Sequence, residues 1–361
     1  MDRPTLYAAI TNHGFGHATR TAAVLAEIQR LVPDVLLIVV TSAPRWLIES
    51  YLTGDFIYRS RVFDVGVVQS DGLTMNLPAT LTQLQEIRTY QDRLVTTEVD
   101  YIKQVGAQLV LADIPPLASV IAEAAGIPCW MVSNFGWDLI YEQWGEDFAD
   151  TVTWVQDCFG KCDRLFRLPF HEPMSAFANI TDIGLTGASP RYTILELRRV
   201  LGITADPEKT VLLSFGRLGL AKIPYRNLQL FPDWQFITFD RLAPDTYPNL
   251  IKVTDTKYRP VDIMPLCSRI ISKPGYGTFA EACLLDIPVI SIPRNDFAEA
   301  QYLLSGLQDY NHHYLLADNE FTESQWEFLF QPLNLPRLSQ SLSKEGNHTL
   351  ATAVINYLYQ D

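Results

Sequence analysis

A chain of 361 residues exceeds one comfortable core, which predicts two domains of roughly 150 to 200 residues each. With 48% hydrophobic and 11% aromatic residues it has an ordinary globular composition, and no run reaches the ~18 apolar residues of a membrane helix. Its 41 acidic and 28 basic residues give a net charge of −13, which argues against nucleic acid and against an anionic membrane surface as partner.

The opening "MDRPTLYAAI" has neither a basic n-region nor a long apolar core, so a cytoplasmic protein is expected. Cys129, Cys158, Cys162, Cys267 and Cys283 form no CxxC pair and are odd in number. They read as reduced thiols, not as a disulfide frame or a zinc site.

In chain order, "TLYAAIT" (5–11) reads as a buried strand, followed over 17–31 by Ala22, Leu25 and Ile28 at helical spacing. The run "VLLIVVTS" (35–42) is typical of a strand covered on both faces. "AQLVLADIPPLASVIAEAAGIPCWMVS" (107–133) reads as strand, turn, helix and strand. The stretch "RLPFHEPMSAFANITDIGLTGASPRY" (167–192) is rich in Pro, Gly, Asn and Ser and suits a linker. The grammar then repeats with "TVLLSFG" (210–216), "DWQFITF" (233–239) and "CSRIISKPGYGTFAEACLLDIPVISIP" (267–293). "HTLATAVINYLYQ" (348–360) closes the chain as an amphipathic helix. Such alternation predicts α/β architecture: two halves, each a parallel sheet with helices on both sides. The expected boundaries are 1–170, a linker 171–190, a second domain 191–340 and a closing helix 341–361.

Open α/β sheets bind ligands at the carboxyl ends of their strands, so the turn "NHGFGH" (12–17) is a candidate site. Gly14 and Gly16 permit a tight turn and close ligand approach. Thr19 stands where a dinucleotide fingerprint needs its third glycine, "VVTSAPRW" (39–46) lacks a ribose-binding acid, and no GK[ST] follows. NAD and Walker-type phosphate binding are therefore set aside. His13 and His17 remain as structural residues, as helix caps or as a base. His17 opens a helix behind the glycine turn, and a neutral imidazole there suits a general base for a hydroxyl. Asp113, ending "LVLAD", would either fix its tautomer or cap the helix begun by Pro115 and Pro116.

"SKPGYGTFAEA" (272–282) combines a glycine turn with a helix start, the makings of an anion seat. Thr278 and Glu281 also have capping-box spacing. Asp296, Glu299 and Gln301 in "SIPRNDFAEAQYL" (291–303) read as sugar-gripping groups or as a solvated first turn. Gly216 and Arg217 in "LSFGRLG" (213–219) read as a second phosphate contact or as surface.

Together these pieces resemble the GT-B glycosyltransferases, sugar transferases of two Rossmann-like domains whose parallel sheets face across a cleft. "GFGHATR" is similar to the histidine-bearing glycine turn of their acceptor domain, and "PGYGTFAEACLLDIPVISIP" to their donor signature. "NHGFGHATR", "SNFGWDLIY", "RLPFHEPMSAF" and "KPGYGTFAEA" further resemble the N-terminal glycosyltransferase-like module of L-arabinokinases, without the kinase half. The resemblance implies a nucleotide-diphosphate sugar donor and a hydroxyl acceptor, and the acidic balance favours a small or soluble acceptor. The resemblance also implies His17 as the acceptor base and Asp113 as its orienting partner. Gly275, Gly277 and Thr278 would hold the diphosphate, with Gly216 and Arg217 opposite. Glu281 would bind the ribose, and Asp296, Glu299 and Gln301 the donor sugar. His13, Gly14, Gly16, Asn134, Trp137 and Asp138 would lie on the acceptor side. The resemblance implies inverting transfer, and with no DxD-like motif or His/Cys cluster present no metal and no cofactor are expected. A nucleotide-sugar epimerase or hydrolase, and a regulatory module that only binds the nucleotide sugar, are the alternatives. Two departures bear on the sugar: "LLDIP" lacks the usual glycine before proline, and the acidic residues crowd Pro293.

Overall fold

The apolar runs fold as parallel strands, because each is buried on both faces and needs helices above and below it. Residues 3–216, 219–220 and 222–360 are described by the computed structural model. The first sheet holds β1 (Thr5–Ile10), β2 (Leu36–Val40), β3 (Ile57–Arg59), β4 (Leu109–Asp113), β5 (Cys129–Ser133), β6 (Arg164–Arg167) and β7 (Ile180–Asp182). They lie parallel in the order β3-β2-β1-β4-β5-β6-β7. The second sheet holds β8 (Thr210–Ser214), β9 (Gln235–Thr238), β10 (Leu250–Lys252), β11 (Arg269–Ser272), β12 (Val289–Ser291) and β13 (His313–Leu315). Its order, β10-β9-β8-β11-β12-β13, repeats that of the first sheet as far as its sixth strand.

Each sheet reverses its winding once, between β1 and β4 and between β8 and β11. The chains leaving those strands diverge to opposite faces, which opens a crevice where ligands bind. The loops after Ile10, Asp113, Ser214 and Ser272 all issue from these two switch points.

The stretch expected as a linker, 171–190, is not all linker. It contains β7, which adds to β6 as an edge strand because Ile180 and Thr181 continue the sheet in register. The chain passes to the second lobe only after Asp182. The C-terminal helix Gly346–Leu358 packs back on the helix Gly16–Leu31 of the first lobe, with Tyr357 against Trp130. The outgoing and returning segments pair: Leu185 N donates to Ser343 O at 2.8 Å, and Gly346 N to Leu185 O at 3.1 Å. Asn347 Nδ2 donates to Gly187 O at 2.7 Å. A Cβ at Gly346 would overlap the Gly184 carbonyl oxygen, so only glycine fits. One apolar cluster runs through this junction, from Leu6 and Ala18 through Leu350 to Phe279 and Leu303.

All five cysteines are free and buried. Among the described residues no helix is long and apolar enough to cross a membrane.

Candidate active site

The turn after β1 is shaped by Gly14, whose φ of +67° lies in the left-handed region that a side chain would strain. The helix Gly16–Leu31 then starts at once, with His17 as its second residue. Residues three and four further on share its face, so His17, Arg20 and Thr21 all reach one carboxylate. His17 Nδ1 lies 2.8 Å from Asp113 Oδ1. Arg20 donates from Nη2 to Oδ1 at 2.5 Å and from Nε to Oδ2 at 2.7 Å. Thr21 Oγ1 donates to Oδ2 at 2.7 Å. Asp113 makes no cap for the helix Leu117–Ala125, which has no side-chain cap.

Burial pushes the Asp113 carboxyl up, but the charge of Arg20 and the hydrogen bonds from Arg20 and His17 hold it well below the usual carboxylate range. It is therefore an acceptor only. The contact at 2.8 Å then requires the proton on His17 Nδ1, although Arg20 Nη2 also stands 3.0 Å from that nitrogen. Nε2 is left as the basic nitrogen, with no hydrogen-bond partner among the described residues.

One residue missed in the sequence is Arg20. Its guanidinium links Asp113 to Asn134 Oδ1 at 2.8 Å and lies 5.0 Å from the centre of the Tyr276 ring in the second lobe. Its spacing from His17 was the available signal. Asp64 was also missed. This buried carboxylate accepts from Asn12 N at 3.1 Å, from Thr11 Oγ1, and from Trp137 Nε1 at 3.1 Å, and so pins the turn. Burial raises its pKa. No element periodicity marked it.

Of the residues expected on the acceptor side, Asn134 joins the cleft network and donates from Nδ2 to Glu299 Oε1 at 2.8 Å. Trp137 is fully buried beneath the turn, edge-on to His13 at 5.3 Å. Asp138 turns inward to the start of its own short helix and to Gln156. His13 accepts from Val67 N at 3.3 Å and stacks on Phe297 of the second lobe at 6.0 Å. Burial, with His17, Arg294 and Lys273 alongside, holds its pKa well below the ordinary value, so it is neutral.

In the second lobe the helix Tyr276–Leu284 is capped by the extended backbone of Gly275, without a side-chain cap. The capping box expected from Thr278 and Glu281 does not form, because the helix begins two residues before Thr278. A Cβ on Gly277 would lie 3.8 Å from Gly16 Cα, so the first turns of the two helices meet across the cleft. Both helix dipoles thus place their positive ends there. Gly216 follows β8 with φ of +74°. Arg217 lies outside the described residues.

Glu281 is buried, and its Oε1 accepts from Ala188 N at 3.3 Å in the segment joining the lobes. Burial raises its pKa to about 7. Asp296, Glu299 and Gln301 do not converge: Glu299 is buried in the cleft, while Asp296 and Gln301 are exposed. Glu299 and Gln301 stand two apart on one helix, which turns their side chains to opposite sides.

No protein-family model matches the chain. It is similar to L-arabinokinase of Arabidopsis thaliana, at 30% identity over 326 residues, covering 88% of this chain and 31% of that protein. The chain thus spans about a third of the length of the curated relative it matches. Among solved structures, a UDP-glucosyltransferase from Polygonum tinctorium that glucosylates indoxyl superposes with a TM-score of 0.60 at 13% identity, covering 99% of this chain and 94% of that one. The calicheamicin glycosyltransferase CalG4 gives 0.59 at 15% identity, covering 99% and 93%. UGT2 of Phytolacca americana, bound to UDP-2-fluoroglucose and pterostilbene, gives 0.59 at 12%, covering 99% and 94%. The chain has the GT-B fold of these glycosyltransferases.

Proposed function

We propose that this chain transfers a sugar from a nucleoside-diphosphate sugar to a hydroxyl of a small or soluble acceptor. The observation that carries the reading is the His17–Asp113 pair at 2.8 Å, standing at the switch point of the first sheet and opposite the start of the helix Tyr276–Leu284. His17 Nε2 takes the proton of the acceptor hydroxyl as its oxygen attacks the anomeric carbon. The bond from that carbon to the β-phosphate oxygen breaks, and its electron pair leaves with the nucleoside diphosphate. A single in-line displacement of this kind inverts the anomeric centre. Asp113 stabilises the imidazolium, and Arg20 and Thr21 fix the carboxylate.

Two helix N-termini supply fixed positive ends for the departing diphosphate, which is why we assign the step to backbone dipoles and side-chain cations and not to a metal. Gly275, Gly277 and Thr278 would receive the diphosphate, with Gly216 and Arg217 opposite, and Glu281 the ribose. Glu299 is the one acidic group near Pro293 that we retain for the donor sugar.

The test begins with thermal unfolding in the presence of UDP, GDP, ADP and dTDP, followed by turnover of the matching nucleotide sugars with simple sugar and phenolic acceptors. His17→Ala is expected to keep nucleotide binding and lose transfer. Turnover retained by that variant overturns the role of His17. Binding without turnover by the unmodified chain favours a regulatory nucleotide-sugar module instead. Donor breakdown without an acceptor favours a hydrolase.

A further inference from the structure

Two cations missed in the sequence stand beside the donor turn. Ser272 at the end of β11 is in register with Ser291 at the end of β12. Lys273 and Arg294 therefore leave the same edge of the second sheet on adjacent strands, at its ligand-binding side. Lys273 comes three residues before the helix Tyr276–Leu284.

Arg294 is 7% exposed, and its guanidinium lies over the Phe297 ring, 3.8 Å from the centroid. Its Nε and Nη2 are buried and have no hydrogen-bond partner among the described residues. Those nitrogens form one edge of the planar fork, the edge that meets two oxygens of an oxyanion at once. Ser272 Oγ, also buried, is likewise without a partner. A cation–π contact accounts for the face of Arg294 but leaves its edge unexplained. Buried polar groups are normally satisfied, so three orphaned atoms on two neighbouring strand ends call for a ligand.

The surrounding charges agree. Glu299 is the acid that acts on both cations, but its Oε1 is already held by Asn134. Burial, with Arg294 nearby, lowers Lys273 to about 7, and burial lowers Arg294 to about 10. Both cations thus lack an adequate counter-charge. A single carboxylate would balance one of them; a doubly charged phosphate balances both.

The geometry points to a phosphate seat formed by Arg294 and Lys273, in which Arg294 grips two phosphate oxygens through Nε and Nη2 and Lys273 neutralises a third. The seat rests on the transferase reading only for where the phosphate comes from. It is either the diphosphate of the donor or a phosphate carried by the acceptor, since Phe297 beneath Arg294 stacks on His13 of the first lobe.

Calorimetric titration of the full chain with inorganic pyrophosphate, nucleoside diphosphates, orthophosphate and glucose 6-phosphate tests it, using Arg294→Met and Arg294→Lys. Met keeps the apolar stem, and Lys keeps the charge without the fork. Loss of tenfold or more in pyrophosphate and nucleoside-diphosphate affinity in R294M, with partial recovery in R294K, assigns the donor diphosphate. A loss confined to orthophosphate and glucose 6-phosphate assigns the acceptor. R294M is also expected to unfold at a higher temperature than the unmodified chain when no ligand is present, which doubles as the folding control. Unchanged affinities in R294M overturn the seat and leave the transferase reading standing. Failure of every probe to bind the unmodified chain overturns the seat as well, and turnover then judges the transferase separately. Arg294-dependent binding with no turnover of any nucleotide sugar keeps the seat and overturns the transferase.

Discussion

Asn134 and Glu299, 165 residues apart in the chain, share a hydrogen bond of 2.8 Å that closes the cleft from one lobe to the other. The amide of Asn134 is oriented from both sides, its oxygen held by Arg20 and its nitrogen by Glu299. Replacing Asn134 with Asp satisfies Arg20 but sets two carboxylates against each other in a buried place. We expect a loss of about 2 kcal/mol or more at pH 7, at least as large as for Asn134→Ala. Urea midpoints of the two variants check this, and a smaller loss in Asn134→Asp than in Asn134→Ala would refute it.

Asp113 supports the fold as well as His17. Arg20 is 4% exposed, and Asp113 is its counter-charge. Asp113→Asn is therefore expected to cost about 3 kcal/mol or more, whereas His17→Asn leaves the Arg20–Asp113 pair intact and costs much less. The sign with pH follows from the depressed carboxyl. Its contribution is complete above about pH 4 and drains away as pH falls below that, because the unfolded chain then binds the proton first. Denaturant titrations of both variants over the acid range measure the difference.

Glu281 behaves in the opposite sense. Its pKa rises on folding from 4.5 to about 7, so the native protein binds the proton more tightly. Stability should fall as pH rises between those values, to a total of roughly 3 kcal/mol, and change no further above them. Glu281→Gln removes the slope. The variant should gain most over the unmodified chain near pH 8 and least near pH 5. A gain that does not vary with pH would remove burial of the charge as the cause.

Gly346→Ala introduces a Cβ that meets backbone, not a side chain able to swing aside. A loss of about 2 kcal/mol is expected, from displacement of the paired crossing segments. Gly160→Ala is the contrast, since its Cβ makes ordinary contacts of 3.4 and 3.6 Å and its φ of −60° suits alanine. That variant should be neutral or slightly stabilising. Thermal unfolding of the two distinguishes them.

The two sheets were legible because their strands are unbroken apolar runs separated by helical periodicity. The nearness of His17 and Asp113 was legible for a related reason: one follows and the other ends adjacent central strands, on the side where such sheets open. Arg20 was within reach of the same reasoning, but it depends on asking which helix face meets a strand end. Asp64 was not, because it follows the short strand β3 in a stretch without periodicity and acts through partners in two other segments. The spacing of Thr278 and Glu281 misled because it fits a cap only if the helix starts there. Asp296, Glu299 and Gln301 looked like one group along the chain, yet the helix separates the last two. Lys273 and Arg294 become conspicuous only once strand pairing sets them side by side.

The return of the C-terminal helix to the first lobe has a mechanical consequence. The lobes are joined by two strands of chain bonded to each other at 184–187 and 343–347, not by one free tether. A single tether would let one lobe swivel in any direction. A paired one is stiff to twisting and bends about one axis, along the line where the segments touch. Any opening of the cleft would then be a rocking about that hinge. It would break the Asn134–Glu299 bond while sparing the contacts of the closing helix, so the lobes would return to the same register at each cycle.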